Sequence, residues 1–212
     1  MNSKKAIFDL DGVLLDSETN LDWLDRAIEK ALEELDIPLT RKNIEKLYPG
    51  GIQEFEATVR DFPAPPEKVW QIRDKYYVAE KLEMIDSGEI RPFPDVNSLE
   101  KLRGVYSLGV ISNSPDEVVD RFVKTYDLED TFEAWLGRDS DLESLREIKP
   151  EPNLFNRLKE EIGGGQFWYV GDREVDRRFA ENTGMEFLHL TRTEEGFENL
   201  HELVDYLLEL TE

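Results

Sequence analysis

Short apolar runs alternate with segments of helical spacing from residue 92 to the end of the chain, and this alternation strongly constrains the fold. With one apolar run near the start, it predicts strands at residues 5–10, 106–111, 134–136, 167–170 and 187–190. Helices are predicted at 96–102, 117–126, 153–162, 175–182 and 200–210. Strands that alternate with helices form a parallel sheet covered on both faces. We therefore expect a doubly wound α/β core.

Residues 16–90 interrupt the alternation, because this segment contains only helical patterns. Helices are predicted at 21–35, around Ile44 and Leu47, and at 52–59 and 67–84. Prolines and a Gly-Gly loop separate them. The sequence therefore predicts a helical domain, residues 16–90, inserted into a core made of residues 1–15 and 91–212.

The chain contains 48 Asp and Glu residues against 26 Lys and Arg residues, so its formal net charge is −22. Such a protein repels nucleic acids and anionic membranes, and we expect neither as a partner. The chain has no cysteine, which excludes disulfides, thiolate catalysis and cysteine-based zinc sites. No apolar stretch has the length of a membrane span or of a secretory signal, so we expect a cytoplasmic protein.

The acidic residues are spread along the whole chain rather than gathered in a tail. Two explanations stay open: adaptation to a cytoplasm near molar salt, where a Debye length of ~3 Å screens self-repulsion, or an ordinary acidic protein. If the ligand is also an anion, a metal ion and a few cations must reverse the field at the site.

Polar residues stand where a parallel sheet binds ligands, beyond the carboxyl ends of its strands. They are Asp9 and Asp11 after the first strand, Ser112, Asn113 and Ser114 after the second, Lys149 before the helix at 153–162, and Asp172 and Asp176 after the fourth. A carboxylate can attack phosphorus, and a second one can protonate the leaving alcohol and then activate water. Mg²⁺ prefers oxygen ligands, and a hydroxyl and an ammonium group can hold the phosphoryl oxygens. The set predicts phosphoryl transfer assisted by a hard metal ion.

Four segments resemble, in the same order, the four motifs of the haloacid dehalogenase superfamily. They are Asp9-Leu10-Asp11-Gly12 with the residues up to Glu18, Ile111-Ser112-Asn113-Ser114, Lys149-Pro150-Glu151-Pro152 with Phe155, and Val170-Gly171-Asp172 with Asp176, Ala180, Gly184 and Met185. One Asp-x-Asp-Gly match would be weak, whereas four ordered matches span both ends of the chain. The chain is similar to the helical-cap phosphatases of this superfamily, and to its phosphoglycolate phosphatase-like group in particular.

The resemblance implies a role for each motif residue. Asp9 would be the nucleophile and a metal ligand, Asp11 the general acid/base with its backbone carbonyl on the metal, Ser112 and Lys149 the groups that hold the phosphoryl oxygens, and Asp172 and Asp176 the Mg²⁺-binding acids. It also implies a Rossmann-like core and a helical cap that closes over the site. Tyr48, Gly50, Gly51 and Asn113 are the expected substrate contacts.

The expected reaction is Mg²⁺-dependent hydrolysis of a small phosphorylated metabolite through an aspartyl phosphate, by a monomer or a weak homodimer. Asp11 argues against the dehalogenating branch, which lacks this second acid. Two alternatives stay open: a sugar phosphomutase, disfavoured because no His follows Ser17 closely, and a non-catalytic binding protein on the same fold. One departure from the family pattern is a long, charged segment at 138–148, before Lys149. Arg173, next to Asp172, is tolerated in the family and can pair with an acid of the site.

Overall fold

The computed structural model describes residues 3–48, 50–192 and 195–211, and its centre is one parallel sheet. The sheet has five strands in the order β3-β2-β1-β4-β5. Their bounds are Lys4–Phe8 (β1), Ser107–Pro115 (β2), Ala134–Arg138 (β3), Gln166–Gly171 (β4) and Glu186–His189 (β5). All four strand pairs are parallel, which confirms the predicted doubly wound core.

The helices agree closely with the predicted ones. They are Asp22–Glu34 (α1), Arg41–Glu45 (α2), Ile52–Thr58 (α3), Pro66–Ser87 (α4), Asp116–Thr125 (α5), Asn153–Ile162 (α6), Glu174–Thr183 (α7) and Leu200–Glu209 (α8). The main differences are that Val96–Leu102 is a 3₁₀ helix, that Leu142–Arg146 forms another, that β1 ends at Phe8, and that β2 runs on through Ser112 to Pro115. The extension forms because β2 pairs with β3 again at Pro115 and Arg138 after a shift of register.

Both faces of the sheet are covered, as the parallel arrangement requires. Side chains alternate along β1, so Phe8 points to one face and Ile7 to the other. The Phe8 face packs against α5 and α8, whereas the Ile7 face packs against α6 and α7. Asp9 follows a strand whose last four residues are buried, and it is therefore fixed in position at the carboxyl edge.

The helices α1 to α4 lie between β1 and β2 in the chain and are called the insert below, and most of a separate apolar cluster comes from them. Phe55 of α3 and Trp70 of α4 meet edge to face there, with ring centroids 5.3 Å apart. Leu142 and Leu145 join this cluster from a 3₁₀ helix, Leu142–Arg146. The long segment at 138–148 therefore packs against the insert. None of the described helices is both long enough and apolar enough to cross a membrane.

Candidate active site

Asp9 lies directly beyond the end of β1 and continues its pairing, because the Asp9 N–H donates to the Val170 carbonyl at 2.9 Å. Only 7% of the residue is exposed. One carboxylate oxygen accepts the Leu10 N–H at 2.7 Å, and the other lies 2.8 Å from Lys149 Nζ. The nucleophile candidate is thus held by one backbone donor and one ammonium group.

Lys149 is buried among three oxygen atoms. Its Nζ lies 2.8 Å from Asp9, donates to Asp176 at 2.6 Å, and donates to the Tyr169 hydroxyl at 2.8 Å. Burial alone would lower the pKa of Lys149, but the Asp9 and Asp176 charges outweigh it and raise that pKa. Asn113 holds the backbone of Lys149, since its Oδ1 accepts the Lys149 N–H at 2.8 Å. The ammonium group is therefore charged and fixed in place.

Asp9, Asp172 and Asp176 each place a carboxylate oxygen within 4.8 Å of the other two. Burial and the Asp176 charge raise the pKa of Asp172 to about 6. Burial, opposed by Lys149 and reinforced by Asp176, raises the pKa of Asp9 to about 7. Asp172 Oδ1 is buried without a hydrogen-bond partner among the described residues. An unpaired buried oxygen beside two further carboxylates fits a divalent cation, and the all-oxygen set suits Mg²⁺.

Two glycines make room for this cluster. Gly12 has a φ of +78°, and a Cβ there would stand 2.5 Å from Asp172 Oδ2. A Cβ on Gly171 would stand 2.3 Å from the Cβ of Asp176. Gly12 thus lets the loop after β1 approach Asp172, and Gly171 lets the first turn of α7 fold back against the end of β4.

The Asp11 carboxylate is not part of that trio. It accepts hydrogen bonds from Ser17 Oγ at 2.5 Å, Ser114 Oγ at 2.7 Å and Lys81 Nζ at 2.5 Å. Burial would raise the pKa of Asp11, but the Lys81 charge and these hydrogen bonds outweigh it and hold the pKa below its usual value. Contact of the Asp11 backbone carbonyl with a metal stays a prediction.

A cavity of about 690 Å³ lies between the carboxyl edge of the sheet and the insert, a size typical of metabolite pockets. Of the predicted site residues, those lining it are Asp9, Asp11, Tyr48, Gly50, Ser112, Asn113 and Lys149. Gly51 does not line it, and Asn113 is already engaged with Lys149. Arg173 stands at the cavity wall, paired with Glu18, with its Nε 3.8 Å from Asp172.

The cavity residues that α4 supplies were not predicted from the sequence. Trp70, Arg73, Tyr77 and Lys81 all line the cavity, and their spacing of three or four residues puts them on one helical face. Lys81 is 1% exposed although it is charged. That mixed aromatic and basic stripe was a signal available in the sequence.

Comparisons with known proteins agree with this geometry. The model of the family described as haloacid dehalogenase-like hydrolase matches residues 6–190. The phosphoglycolate phosphatase of Cereibacter sphaeroides (strain ATCC 17029 / ATH 2.4.9) is 26% identical over 206 residues, covering 93% of this chain and 89% of that protein. The phosphoglycolate phosphatase of Aliivibrio fischeri is 28% identical, covering 89% and 84%.

Solved structures share the fold. CbbY from Rhodobacter sphaeroides in complex with phosphate superposes with a TM-score of 0.68 at 18% identity, covering 96% of both chains. A haloacid dehalogenase superfamily hydrolase from Geobacter sulfurreducens gives a TM-score of 0.61 at 24% identity, covering 97% of this chain and 96% of that one. Since the family model spans most of the sequence, this chain belongs to the haloacid dehalogenase-like hydrolases.

Proposed function

We propose that this hydrolase, a phosphatase by its relatives, hydrolyses a small phosphomonoester through a phosphorylated Asp9. The observation that carries the proposal is the position of the Asp9 carboxylate. It lines the cavity and lies 2.8 Å from Lys149 Nζ. One of its oxygens lies within 4.8 Å of a carboxylate oxygen of Asp172 and of Asp176, close enough for all three to bind one cation. An attacking carboxylate, a fixed positive charge and a metal site thus meet at one point.

The first step forms a bond between an Asp9 oxygen and phosphorus while the ester oxygen leaves. Lys149 neutralises charge on the phosphoryl oxygens, and Ser112, buried beside the cavity, donates a hydrogen bond to one of them. Asp11, which Lys81 and its hydrogen bonds keep ionised, must first take up a proton, and it then gives this proton to the leaving alcohol. In the second step Asp11 takes a proton from water, which attacks the phosphoaspartate and releases inorganic phosphate with Asp9 regenerated. Bound Mg²⁺, held by Asp9, Asp172 and Asp176, would neutralise phosphate charge and orient the ester.

Phosphoglycolate is the first substrate to test, because the curated relatives of this chain bear the name phosphoglycolate phosphatase. The core of residues 1–15 and 91–212 would carry the chemistry, and the insert of residues 16–90 would act as the cap. Tyr48 and Gly50, which line the cavity from the insert, would contact the substrate.

The test is a panel of phosphomonoesters assayed for phosphate release with and without Mg²⁺, at low and at molar KCl. We expect Mg²⁺-dependent turnover that falls by about 10⁴-fold or more in Asp9→Asn, because the amide is a poor nucleophile. Asp22→Asn, which removes the same charge from the first turn of α1, is the matched control and should keep full activity.

Full activity in folded Asp9→Asn would refute covalent catalysis by that residue. Absence of phosphate release from every ester at both salt concentrations would instead support a binding protein. Appearance of a sugar bisphosphate from a sugar monophosphate would favour the mutase.

A further inference from the structure

Three buried charged side chains meet where helix α4 of the insert contacts the end of β3, beside the cavity. Arg73 and Asp74 belong to α4, and Arg138 ends β3. The side chains of Arg73, Asp74 and Arg138 are 8%, 3% and 4% exposed. Arg138 binds both oxygens of Asp74, with Nη1 at 3.2 Å from Oδ2 and Nη2 in close contact with Oδ1. Arg73 Nη1 reaches the same carboxylate only at 3.4 Å.

Among the residues that the structure describes, these contacts leave one buried positive charge without an acid of its own. Asp74 is engaged by both nitrogens of Arg138, so it neutralises one guanidinium and not two. In the described part of the chain, Arg73 uses two of the five N–H donors of a guanidinium, for Leu47 O at 3.2 Å and for Asp74. Burial, reinforced by Arg138, lowers the pKa of Arg73. Burying an uncompensated charge is costly unless a partner arrives.

Aromatic rings hold the Arg73 guanidinium in place. Its carbon lies 4.4 Å from the ring centre of Tyr77 and 5.2 Å from that of Trp70. Because the rings cover the faces of the guanidinium, a ligand can bind only to the N–H groups in its plane. Two such N–H groups can donate together to two oxygens of a carboxylate or a phosphate.

This charge faces the cavity of the catalytic site. Arg73 and Arg138 both line it. Lys81, which touches Asp11, lies eight residues after Arg73 on the same face of α4, so the two Cα atoms are roughly 12 Å apart along the helix.

Three other cations that line the cavity have acidic partners. Lys81 pairs with Asp11, Lys149 with Asp9, and Arg173 with Glu18. The remaining lining acid, Glu54, is exposed on α3. A ligand in this cavity therefore meets the proposed phosphate-binding groups and, about two helical turns along α4 from Lys81, a guanidinium whose charge is not neutralised.

We propose that Arg73, supported by Arg138, binds a second anionic group of the substrate, so that the enzyme selects phosphate esters that carry a negative charge at their far end. This inference rests on the proposed function, and it specifies the class of phosphate ester that the cavity selects. The second group is a carboxylate in a short ester or a second phosphate in a longer one.

The test compares two pairs of esters that differ only in the distal anion. Phosphoglycolate is paired with ethyl phosphate, and pentanediol bisphosphate with pentyl phosphate. In the pair whose charged ester is long enough to reach from Asp9 to Arg73, we expect Arg73→Gln to lower kcat/KM for that ester by about 10- to 100-fold, mainly by raising KM. This is the range for the loss of one hydrogen bond to a charged group. The uncharged ester should change by less than about 3-fold, because the reacting groups are untouched.

Lys75→Gln is the matched control, since it removes one positive charge from the outer side of α4, where Lys75 pairs with Glu34. In both pairs it should leave the ratio of kcat/KM for the charged ester to kcat/KM for the uncharged ester unchanged. Arg73→Lys keeps the charge without the fork and should lose about 3- to 10-fold, which preserves the test if Arg73→Gln does not fold.

A purely structural Arg73 would lower stability and reduce turnover of charged and uncharged esters alike, and that result would overturn the proposal. So would an unchanged charged-ester preference in both pairs. Calorimetric titration of Asp9→Asn with the four esters repeats the comparison without turnover. If wild type hydrolyses neither these four esters nor any other ester of the panel, the proposed function fails, while an Arg73-dependent binding preference still supports this subsite and its absence removes it.

Discussion

Lys81 Nζ of helix α4 donates a hydrogen bond to Asp11 Oδ1, the second acid after β1, at a distance of 2.5 Å. The Lys81 side chain is 1% exposed and also donates to Ser114 Oγ at 2.9 Å. The contact joins the insert to the loop after β1 across 70 residues of sequence. The position of α4 therefore influences how readily Asp11 gains or loses a proton.

Lys81→Met should move the pH profile of turnover to higher pH. Lys81 stabilises the charged form of Asp11, so its removal raises the pKa of that carboxyl. A general acid with a raised pKa stays protonated at higher pH, and a general base becomes competent only at higher pH. Whichever limb of the pH profile Asp11 governs therefore moves to higher pH, so kcat at neutral pH falls if Asp11 limits turnover as a base and rises if it limits turnover as an acid.

The measurement is kcat from pH 5 to 9 for wild type, Lys81→Met and Lys75→Met. Lys75→Met removes a lysine from the exposed side of the same helix and should keep the wild-type profile. An unshifted profile in folded Lys81→Met would show that the contact does not control Asp11.

Gly12→Ala should weaken Mg²⁺ binding by about 10- to 100-fold, as changes to groups around metal ligands do. The new methyl group would overlap Asp172 Oδ2, which lies 2.5 Å from the Cβ position, and displace the carboxylate. Gly104→Ala is a close control, because Gly104 has the same φ of +78° but nothing within 4 Å of its Cβ position.

Both variants should lose about 1–2 kcal/mol of unfolding free energy from the left-handed backbone. Only Gly12→Ala should change the Mg²⁺ dissociation constant measured by calorimetry. Equal Mg²⁺ affinity in the two variants would argue against Asp172 as a ligand.

The strands and their carboxyl ends were predictable because apolar runs are local signals. Asp9, Asp172 and Asp176 lie close together because the neighbouring parallel strands β1 and β4 end at the same edge of the sheet. Lys81 was not predictable in the same way. Its contact with Asp11 depends on the rotation and height of α4 over the sheet, which tertiary packing decides.

The difference between local sequence signals and contacts set by tertiary packing also applies to Asn113 and to the segment at 138–148. Asn113 lines the cavity, and its role as a substrate contact stays a prediction, but the sequence did not indicate that the nitrogen and the oxygen of its side-chain amide both bind the Lys149 backbone. The charged segment contains Leu142 and Leu145, whose partners are helices of the insert far away in sequence. Local patterns indicate which residues are special, and packing determines what they touch.

Salt should stabilise this protein. With a net charge of −22, self-repulsion destabilises the folded state, whereas exposed pairs such as Arg41–Glu45 contribute only about 0.3–0.5 kcal/mol each. From about 0.1 M to about 1 M KCl the Debye length falls from ~10 Å to ~3 Å, so repulsion over long distances is screened. We expect Tm to rise by several degrees over that range.

Thermal unfolding in KCl, with sucrose of equal osmolality as control, measures this effect. Activity that requires molar KCl would support a high-salt cytoplasm, whereas full activity at about 0.1 M would support an ordinary acidic protein. A Tm that falls with KCl would show that the ion pairs outweigh the repulsion.

Asp95→Asn should destabilise the protein at neutral pH and much less in acid. Asp95 accepts hydrogen bonds from Arg192 Nη1 at 2.9 Å and from the Leu200 N–H, at the start of α8, at 2.8 Å. Burial would raise the pKa of Asp95, but the bonds from Arg192 and Leu200 outweigh it and hold that pKa below 3.8. An acid whose pKa is lowered by folding stabilises the fold above its unfolded pKa, and this stabilisation is lost as pH falls through the folded pKa.

The difference in unfolding free energy between wild type and Asp95→Asn should therefore be about 2–4 kcal/mol near pH 7, and it should shrink as pH falls below the usual pKa of an Asp and through the lowered pKa of folded Asp95. The protonated carboxyl of Asp95 and the amide that replaces it are both neutral, so in acid each leaves Arg192 without its anion. Urea unfolding at a series of pH values measures the difference, with the α1 first-turn variant Asp22→Asn as control. A difference that stays constant with pH would mean that Asp95 acts through its shape and not through its charge.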